Sequence, residues 1–182
     1  MDVIFDIDGT LLDISHRLHL IGVSESTAPS ERAHPTNSKR WKEFRDPKLK
    51  EHDKVIRPVA SMAKAFLQNG HRVILCSGRM EEERDPTAKS LAAVFGLVNK
   101  DRKIINPAGR GRAYLENTKN IPMYMRADSD YRPDYEAKYD LLLAMYKDGY
   151  NPEMAVDDRP AVIRMWRREG LLVADVGKGE EF

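Results

Sequence analysis

The chain has 182 residues, of which 41% are hydrophobic and 32% are charged, and its formal net charge is +1. This length suits one domain, residues 1–182, with enough apolar residues for a core, and so small a net charge excludes a protein that is basic throughout. No apolar stretch approaches the roughly 20 residues of a membrane span, and no leader peptide is evident. We therefore expect a cytoplasmic protein that does not bind membranes.

The first predicted strand, residues 2–6, ends in acidic residues. Val3-Ile4-Phe5 is an apolar run, and Asp6-Ile7-Asp8-Gly9-Thr10 follows it. A parallel strand buried on both faces has such a continuous apolar run, and ligands bind beyond the carboxyl ends of these strands. The position of Asp6 and Asp8 therefore indicates phosphoryl transfer. The alternative is an ordinary Asp-Gly turn with surface carboxylates.

The segment from Asp13 to Arg57 does not fit a regular alternation of strands and helices. Residues 24–37 are rich in Ser, Thr, Pro and Ala, which predicts a loop. Trp41 and Phe44 lie three residues apart and are expected on one face of a helix. We interpret residues 13–57 as an insertion after the first strand.

The rest of the chain alternates strands with helices, which predicts an α/β doubly wound parallel sheet. The expected strands are residues 72–76, 122–125, 154–157 and 171–176. The expected helices are residues 58–69, a helix opened by Asp85-Pro86, and residues 134–147 and 159–169. The single cysteine, Cys76, lies in an apolar strand, so we expect a core residue and not a nucleophile.

Polar residues also follow two later strands. Ser77-Gly78-Arg79 follows one, Asp157-Asp158-Arg159 follows another, and Lys138 lies early in the helix between them. In this order the motifs resemble the four motifs of the haloacid dehalogenase (HAD) superfamily. The resemblance implies a HAD-type Rossmannoid sheet of strand order 3-2-1-4-5, with residues 13–57 as a small cap. Such a short cap would leave the site open to a bulky or polymeric substrate.

The carboxylates after the first strand suit covalent phosphatase chemistry. Asp6 is the candidate nucleophile, which would form an aspartyl-phosphate. Asp8 would protonate the leaving alcohol and then accept a proton from water, which requires a pKa raised toward the working pH. The main-chain carbonyl of Asp8, together with Asp6 and Asp157, offers oxygen ligands for Mg²⁺.

Other groups at these strand ends would hold the phosphate. Lys138 supplies a positive charge, while Ser77 and the Gly78 amide offer hydrogen bonds. The alternatives are a solvated lysine and a pair of aspartates that caps a helix. We expect Asp158 to orient Lys138 or to cap the helix, and Asp157 to bind metal.

A finer resemblance is to the 3′-phosphatase half of phage polynucleotide kinase-phosphatases. It rests on Asp6-x-Asp8, Arg17, Ser77-Gly78-Arg79 before Asp85-Pro86-Thr87, Arg126-x-x-x-Asp130-x-Arg132-x-Asp134-x-x-x-Lys138, and Asp157-Asp158-Arg159 with Met165-Trp166-Arg167-Arg168-x-Gly170. It implies catalytic roles for Arg17, Arg79 and Asp134, with guanidinium groups clamping the phosphate. It also implies a hydrolase of nucleic acid repair, in the host cytoplasm if a phage encodes it.

The chain departs from that family in several ways. No Gly-x-x-x-x-Gly-Lys-Ser/Thr motif is present, so the kinase half is absent. Residues 13–57 form a longer stretch than the family's equivalent, and residues 99–120 are distinctive. Residues 31–57 hold nine basic against five acidic residues, and residues 100–112 hold five against one. These stretches are either a phosphate-attracting rim or ordinary solvated faces.

The leading hypothesis is a Mg²⁺-dependent phosphomonoesterase whose substrate is a phosphorylated nucleic acid end or a nucleotide, with 3′-phosphate as the expected group. One alternative is a phosphatase of small metabolites or 5′-nucleotides. Another is a catalytically silent module that binds nucleic acid ends. The presence of Asp6, Asp8, Lys138 and Asp157 favours an enzyme, because silent modules usually lose such residues. The sequence identifies no protein partner.

Overall fold

The computed structural model describes residues 1–21, 38–95, 104–105, 113–115 and 121–179. The strands are β1 Asp2–Phe5, β2 Leu12–Asp13, β3 Lys54–Val55, β4 Arg72–Met80, β5 Ile104–Ile105, β6 Ala113–Leu115, β7 Pro122–Arg126, β8 Pro152–Asp157 and β9 Leu172–Asp175. The α-helices are α1 Ser15–Leu18, α2 Ser38–Phe44, α3 Pro47–Lys50, α4 Arg57–Gln68, α5 Arg84–Val94, α6 Asp134–Lys147 and α7 Pro160–Arg168. No helix in these ranges is long and apolar enough to cross a membrane.

The main sheet has the order β5-β6-β7-β4-β1-β8-β9. The strands β7, β4, β1, β8 and β9, neighbours in that order, are parallel. Numbered by their order along the chain, these five strands lie in the spatial order 3-2-1-4-5, which confirms the predicted HAD-type order. The antiparallel strands β5 and β6 extend the sheet beyond β7, which the sequence did not predict. The remainder of the distinctive segment 99–120 lies outside the described residues.

Strand β1 is central because it is apolar on both faces. Val3 and Phe5 pack in one cluster, and Ile4 packs in a second cluster on the other face. Helices α4 and α5 contribute to the first cluster, and α6 and α7 contribute to the second. Cys76 is fully buried in the second cluster, and burial raises the pKa of its thiol, which confirms a core residue.

Most predicted boundaries are confirmed within one or two residues. Helix α6 has the predicted limits, and α7 is one residue shorter than predicted at each end. Strand β4 is the exception, because it ends at Met80, whereas the predicted strand ended at Cys76. Ser77 and Met80 still pair with β7, with a shift of register between them, so this strand carries backbone pairing past the Ser-Gly motif.

The insertion is closed at its base by a short antiparallel pair. Leu12 lies opposite Val55, and Asp13 lies opposite Lys54. Inside it, Trp41 and Phe44 share a helical face as predicted, with ring centroids 5.5 Å apart in a T-shaped contact. Their small cluster also includes buried Ile14 and Ile21. The predicted loop at residues 24–37 lies outside the described residues.

Candidate active site

A buried lysine joins the ends of β1 and β8. The Lys138 Nζ atom lies 2.7 Å from Asp6 Oδ1 and 3.0 Å from Asp157 Oδ2. Lys138 is 1% exposed and stands in the second turn of α6, which begins at the carboxyl edge of the sheet. Burial alone would lower the pKa of Lys138, but the Asp157, Asp6 and Asp134 carboxylates raise it, so the ammonium stays charged.

Three buried carboxylates gather at the same edge. Ligand oxygens of Asp6, Asp157 and Asp158 all lie within 4.8 Å of one another. Burial and the neighbouring Asp157 charge raise the pKa of Asp158 to about 6. Burial and the charges of Asp157 and Asp158 likewise raise the pKa of Asp6, against the effect of Lys138. Hard oxygen ligands with excess negative charge fit a divalent cation such as Mg²⁺.

Asp157 is fixed by hydrogen bonds on both carboxylate oxygens. Its Oδ2 accepts from Lys138 and from the Trp166 indole, 3.0 Å away, while its Oδ1 accepts from the amides of Asp158 and Arg159. We expected Asp158 to orient Lys138 or to cap the helix, and in the structure Asp157 makes the contacts with that lysine and with the amides before α7. The reason is that β8 runs through Asp157, which leaves that side chain beside β1. The sequence motif includes Trp166, but it did not predict this hydrogen bond to Asp157.

Asp158 accepts a hydrogen bond from Thr10, a residue of the motif that follows β1. The Thr10 hydroxyl donates to Asp158 Oδ1 at 2.8 Å in a buried contact. Gly9, which precedes Thr10, has a φ of +84°, and a Cβ atom there would stand 2.1 Å from Asp158 Oδ2. Glycine is therefore required at this position both for its backbone conformation and for the space that Asp158 takes.

Asp8 pairs with two guanidinium groups, those of Arg17 and Arg79. The Arg79 Nε atom donates to both Asp8 oxygens, at 3.1 and 2.9 Å, and Arg17 donates at 3.2 Å. Burial raises the pKa of Asp8, but the charge and hydrogen bonds of Arg79, with Arg17, outweigh it and lower the pKa to about 2. The expected raised pKa was therefore wrong for this arrangement, because a carboxylate between two arginines is stabilised in its charged form.

Asp53 completes this network, and sequence reasoning missed it. Its fully buried side chain accepts from Arg17 Nε at 2.9 Å and from Arg79 at 2.7 Å. The residue stands just before β3, where the insertion returns to the sheet. No motif or periodicity in the sequence marks Asp53. Asp53 thus shares both arginines with Asp8.

Ser77, Gly78 and Asp134 form the wall beside β4. The Arg79 amide donates to Ser77 Oγ at 3.1 Å, and Ser77 is fully buried. A Cβ atom at Gly78 would stand 2.1 Å from Asp134 Oδ1, so glycine is needed for this close approach. Asp134 in turn accepts from Arg126 at 2.7 Å and lies 2.8 Å from Arg159. Burial raises the pKa of Asp134, but Lys138, Arg159 and Arg126 outweigh it and lower the pKa.

The insertion touches the site through several polar contacts. Arg17, on α1, donates to the Phe44 carbonyl at 3.2 Å as well as to Asp8. Lys50, at the end of α3, is buried and pairs with Glu83 before α5. Residues of the insertion thus contact both Asp8, beyond the carboxyl end of β1, and the residue Glu83 that precedes α5.

Part of the first basic stretch, residues 31–57, is exposed on α2. Lys39, Arg40 and Lys42 are exposed on α2. The second stretch, residues 100–112, lies outside the described residues apart from the backbone of β5.

Comparison with known proteins agrees with this geometry. The family described as polynucleotide kinase PNKP phosphatase domain matches residues 36–181. Two solved structures of a Pnkp1/Rnl/Hen1 complex, one described as an RNA repair complex, contain a chain 28% identical over 98% of this one, with TM-scores of 0.60 and 0.62. This chain spans 43% and 46% of the length of those chains.

A further solved structure shows the wider fold. A haloacid dehalogenase-like family hydrolase from Streptococcus pneumoniae is similar at a TM-score of 0.63 and 11% identity, covering 98% of this chain and 86% of that one. At this identity the likeness concerns the fold alone. Together with the family match over most of the chain, these findings show that the chain belongs to the polynucleotide kinase PNKP phosphatase domain family and is a phosphatase of the HAD superfamily.

Proposed function

We propose that the chain is a Mg²⁺-dependent phosphomonoesterase that removes 3′-phosphate from nucleic acid ends or nucleotides through an aspartyl-phosphate. The observation that carries this proposal is the Lys138 bridge between Asp6 and Asp157 at the carboxyl edge of the sheet. It places a candidate nucleophile, a fixed positive charge and further carboxylates around one point. The family membership supports the phosphatase chemistry.

In the first step, an Asp6 carboxylate oxygen attacks phosphorus, and the bond between phosphorus and the ester oxygen breaks. Lys138 orients Asp6, since its ammonium lies 2.7 Å from Oδ1. The same ammonium, the Ser77 hydroxyl and the Gly78 amide would stabilise the charge on the phosphoryl oxygens. In the second step, water attacks the phosphoryl group on Asp6 and releases inorganic phosphate.

Asp8 is the proposed carrier of protons. As a carboxylate between Arg17 and Arg79, it suits the second step, in which it accepts a proton from water. For the first step it must hold a proton for the leaving alcohol. A phosphate dianion that draws Arg17 and Arg79 away from Asp8 would raise its pKa, so we propose that these arginines serve as clamps for the phosphate as well as partners of Asp8. Asp134 would serve by holding Lys138 and Arg159 in place.

The residues that would hold Mg²⁺ are Asp6, Asp157, Asp158 and the main-chain carbonyl of Asp8. The first three supply the buried cluster of oxygens, and burial together with the charges of their neighbours raises the pKa values of Asp6 and Asp158. Bound there, the cation would offset the repulsion between these carboxylates and the phosphate dianion.

The family and the matched chains of the Pnkp1/Rnl/Hen1 complex support a nucleic acid end as the substrate. Lys39, Arg40 and Lys42 on α2 offer positive charge for neighbouring phosphates. We also propose that residues 1–182 form one domain in which residues 13–57 are a small cap. Within that segment, Arg17 pairs with Asp8 and with Asp53, and these contacts support a cap that takes part in the site.

The test is a panel of 3′- and 5′-phosphorylated oligonucleotides, 3′-mononucleotides and sugar phosphates, scored by released phosphate. The proposal expects the highest kcat/KM for the 3′-phosphorylated oligonucleotide and no turnover by Asp6→Asn on any substrate. Preference for sugar phosphates or 5′-nucleotides would overturn the nucleic acid assignment. Binding of ends without release of phosphate by the native chain would identify a silent module.

Salt dependence separates a polymer from a small substrate. Binding of the single-stranded oligonucleotide should weaken with a log-log slope of about −0.7 per phosphate contacted, while the mononucleotide should respond less. Replacing Lys39, Arg40 and Lys42 by Gln should flatten the slope for the oligonucleotide without changing kcat on a small monoester. The same change at Arg110 and Arg112 tests the second basic stretch. Equal KM values and salt responses for both substrates would favour a phosphatase of nucleotides or metabolites.

A further inference from the structure

We propose that Tyr131 is a stacking platform for the base of the terminal nucleotide, next to the phosphate that is removed. This inference rests on the proposed function, because it requires a substrate with a nucleobase. Tyr131 is 57% exposed and lies in the loop between β7 and α6. That loop leaves the carboxyl edge of the sheet, where the catalytic residues stand.

The loop presents this ring on a backbone that is fixed on both sides. The Arg126 guanidinium donates to the carbonyl oxygen of Asp130 at 3.3 Å and to that of Arg132 at 2.6 Å. The Arg132 amide donates to Asp130 Oδ1 at 3.0 Å. Both neighbours of Tyr131 are therefore held, and a base that stacks on the ring meets a preorganised segment with little further ordering of the loop.

The same guanidinium connects the loop to the catalytic residues. Arg126 also donates to Asp134 Oδ1 at 2.7 Å, and Asp134 Oδ2 lies 3.5 Å from Lys138 Nζ, which holds Asp6. Arg126 is the residue of β7 that pairs with Met80, directly after Arg79. A series of direct contacts through Arg126, Asp134 and Lys138 thus links the backbone on both sides of Tyr131 to the proposed nucleophile.

A nucleobase suits this position better than an apolar partner. The charges next to the ring are satisfied, because Arg132 pairs with Asp130 at 2.7 Å and with Asp140 at 2.6 Å. The loop otherwise consists of small or polar residues and Pro133, so it lacks the contiguous apolar area of a protein interface. A flat aromatic face among paired charges is the kind of surface on which bases stack without sequence preference.

The experiment compares Tyr131→Ala and Tyr131→Phe with a matched control, Tyr146→Ala. Tyr146 is 40% exposed in the last turn of α6, about 18 Å along the helix from Asp134. Each variant is assayed on three substrates: a single-stranded oligonucleotide with a 3′-phosphate, the same oligonucleotide with an abasic 3′-terminal nucleotide, and p-nitrophenyl phosphate.

We expect Tyr131→Ala to raise KM for the base-bearing oligonucleotide by roughly 5- to 140-fold, which is the range that loss of one stacked base gives. Tyr131→Phe should stay near the native value because it keeps the aromatic face. For the abasic oligonucleotide and for p-nitrophenyl phosphate, no variant should change kcat/KM by more than about twofold. These two substrates have no terminal base to stack, and a change of about twofold is smaller than the loss of one stacked base gives.

The proposal is overturned if Tyr131→Ala leaves KM for the base-bearing oligonucleotide unchanged. It is equally overturned if the base-bearing and abasic substrates lose affinity to the same extent, or if Tyr146→Ala has the same effect. Failure of the proposed function has a different signature. In that case the native chain hydrolyses p-nitrophenyl phosphate but releases no phosphate from either oligonucleotide, and both proposals fail together.

Discussion

The two ends of strand β1 carry the same residue type in opposite roles. At the amino end, Asp2 accepts two hydrogen bonds from Arg72, at 2.6 Å each, and one from the Asn151 amide at 2.8 Å. Burial raises the pKa of Asp2, but these hydrogen bonds outweigh it and lower the pKa. At the carboxyl end, Asp6 lies among other carboxylates, and burial with their charges raises its pKa.

The difference separates a carboxylate with a structural role from one that we propose to be catalytic. Asp2, whose side chain is 5% exposed, is matched by its own arginine, Arg72, whose side chain is 58% exposed, so this buried carboxylate has one dedicated counter-charge that reaches solvent. Asp6 and Asp157 instead share the Lys138 ammonium, which is 1% exposed, and a third buried carboxylate, Asp158, lies in the same cluster. Such an excess of buried negative charge is costly without a bound cation, and clusters of this kind are concentrated at functional sites.

Removal of metal should have the largest effect on phosphatase activity. It should act on the carboxylates at the carboxyl end of β1 and not on Asp2 at the amino end. With excess EDTA, phosphatase activity should disappear, and added Mg²⁺ should restore it. Ca²⁺ should substitute poorly because its larger, more flexible coordination would misalign Asp6. The measurement is phosphate release after dialysis against each cation, with thermal unfolding of the chelated protein as the control. Full activity in EDTA would contradict the assignment of Asp6, Asp157 and Asp158 as ligands.

Asp8→Asn should reduce kcat by roughly 10²- to 10⁴-fold, because it removes a proton carrier but keeps the nucleophile. The loss should be largest for alkyl phosphates, whose leaving alcohols need a proton, and smallest for p-nitrophenyl phosphate. Steady-state kinetics on both substrates check this. An equal loss on the two would show that Asp8 acts through the arginines alone.

Asp53→Asn should lower kcat/KM by about 10²-fold, since Arg17 and Arg79 lose the carboxylate that orients them. The matched control is Asp46→Asn. Asp46 lies in the same insertion and caps α3 by accepting from the Lys48 amide at 2.9 Å, a bond that asparagine can also make. If both variants lose activity equally, the effect comes from the fold of the insertion and not from the arginine network.

Asp2→Asn should have the smallest effect, on stability and not on activity. Its pKa is lowered in the folded state, so its ion pair stabilises the fold above the unfolded pKa, near 3.8, and this stability is lost as the pH falls through the folded pKa. We expect a loss of about 1–2 kcal/mol in unfolding free energy at neutral pH, shrinking below pH 3.8. Urea unfolding at several pH values measures it. A loss that does not depend on pH would contradict the ion-pair account.

The sequence predicted the strand ends better than the contacts between them. Asp6, Ser77 and Asp157 follow apolar runs, and the carboxyl ends of parallel strands meet at one edge, so their proximity follows from the pattern. Asp53 follows no such run, and its role depends on how the insertion folds back. The low pKa of Asp8 likewise depends on Arg17 and Arg79, whose approach no local pattern specifies.

The short strands β5 and β6 show the same limit at the edge of the sheet. They have two and three residues, too few for a reliable alternation of apolar and polar positions. Trp166 had a signal only in part, since it belongs to the motif Met165-Trp166-Arg167-Arg168-x-Gly170, and the structure shows that it is buried. Its hydrogen bond to Asp157 depends on the packing of α7 against β8, which the motif alone does not specify.

The central claim is that Asp6 carries the phosphoryl group. The most direct measurement is a rapid acid quench during turnover of a 3′-phosphorylated oligonucleotide, followed by proteolysis and mass spectrometry of the peptide that contains Asp6. The account predicts a transient phosphoryl group on Asp6 in the native chain, its absence in Asp6→Asn together with loss of turnover, and its presence in Asp2→Asn. Near-native turnover by Asp6→Asn, or a phosphoryl group on another residue, would contradict it.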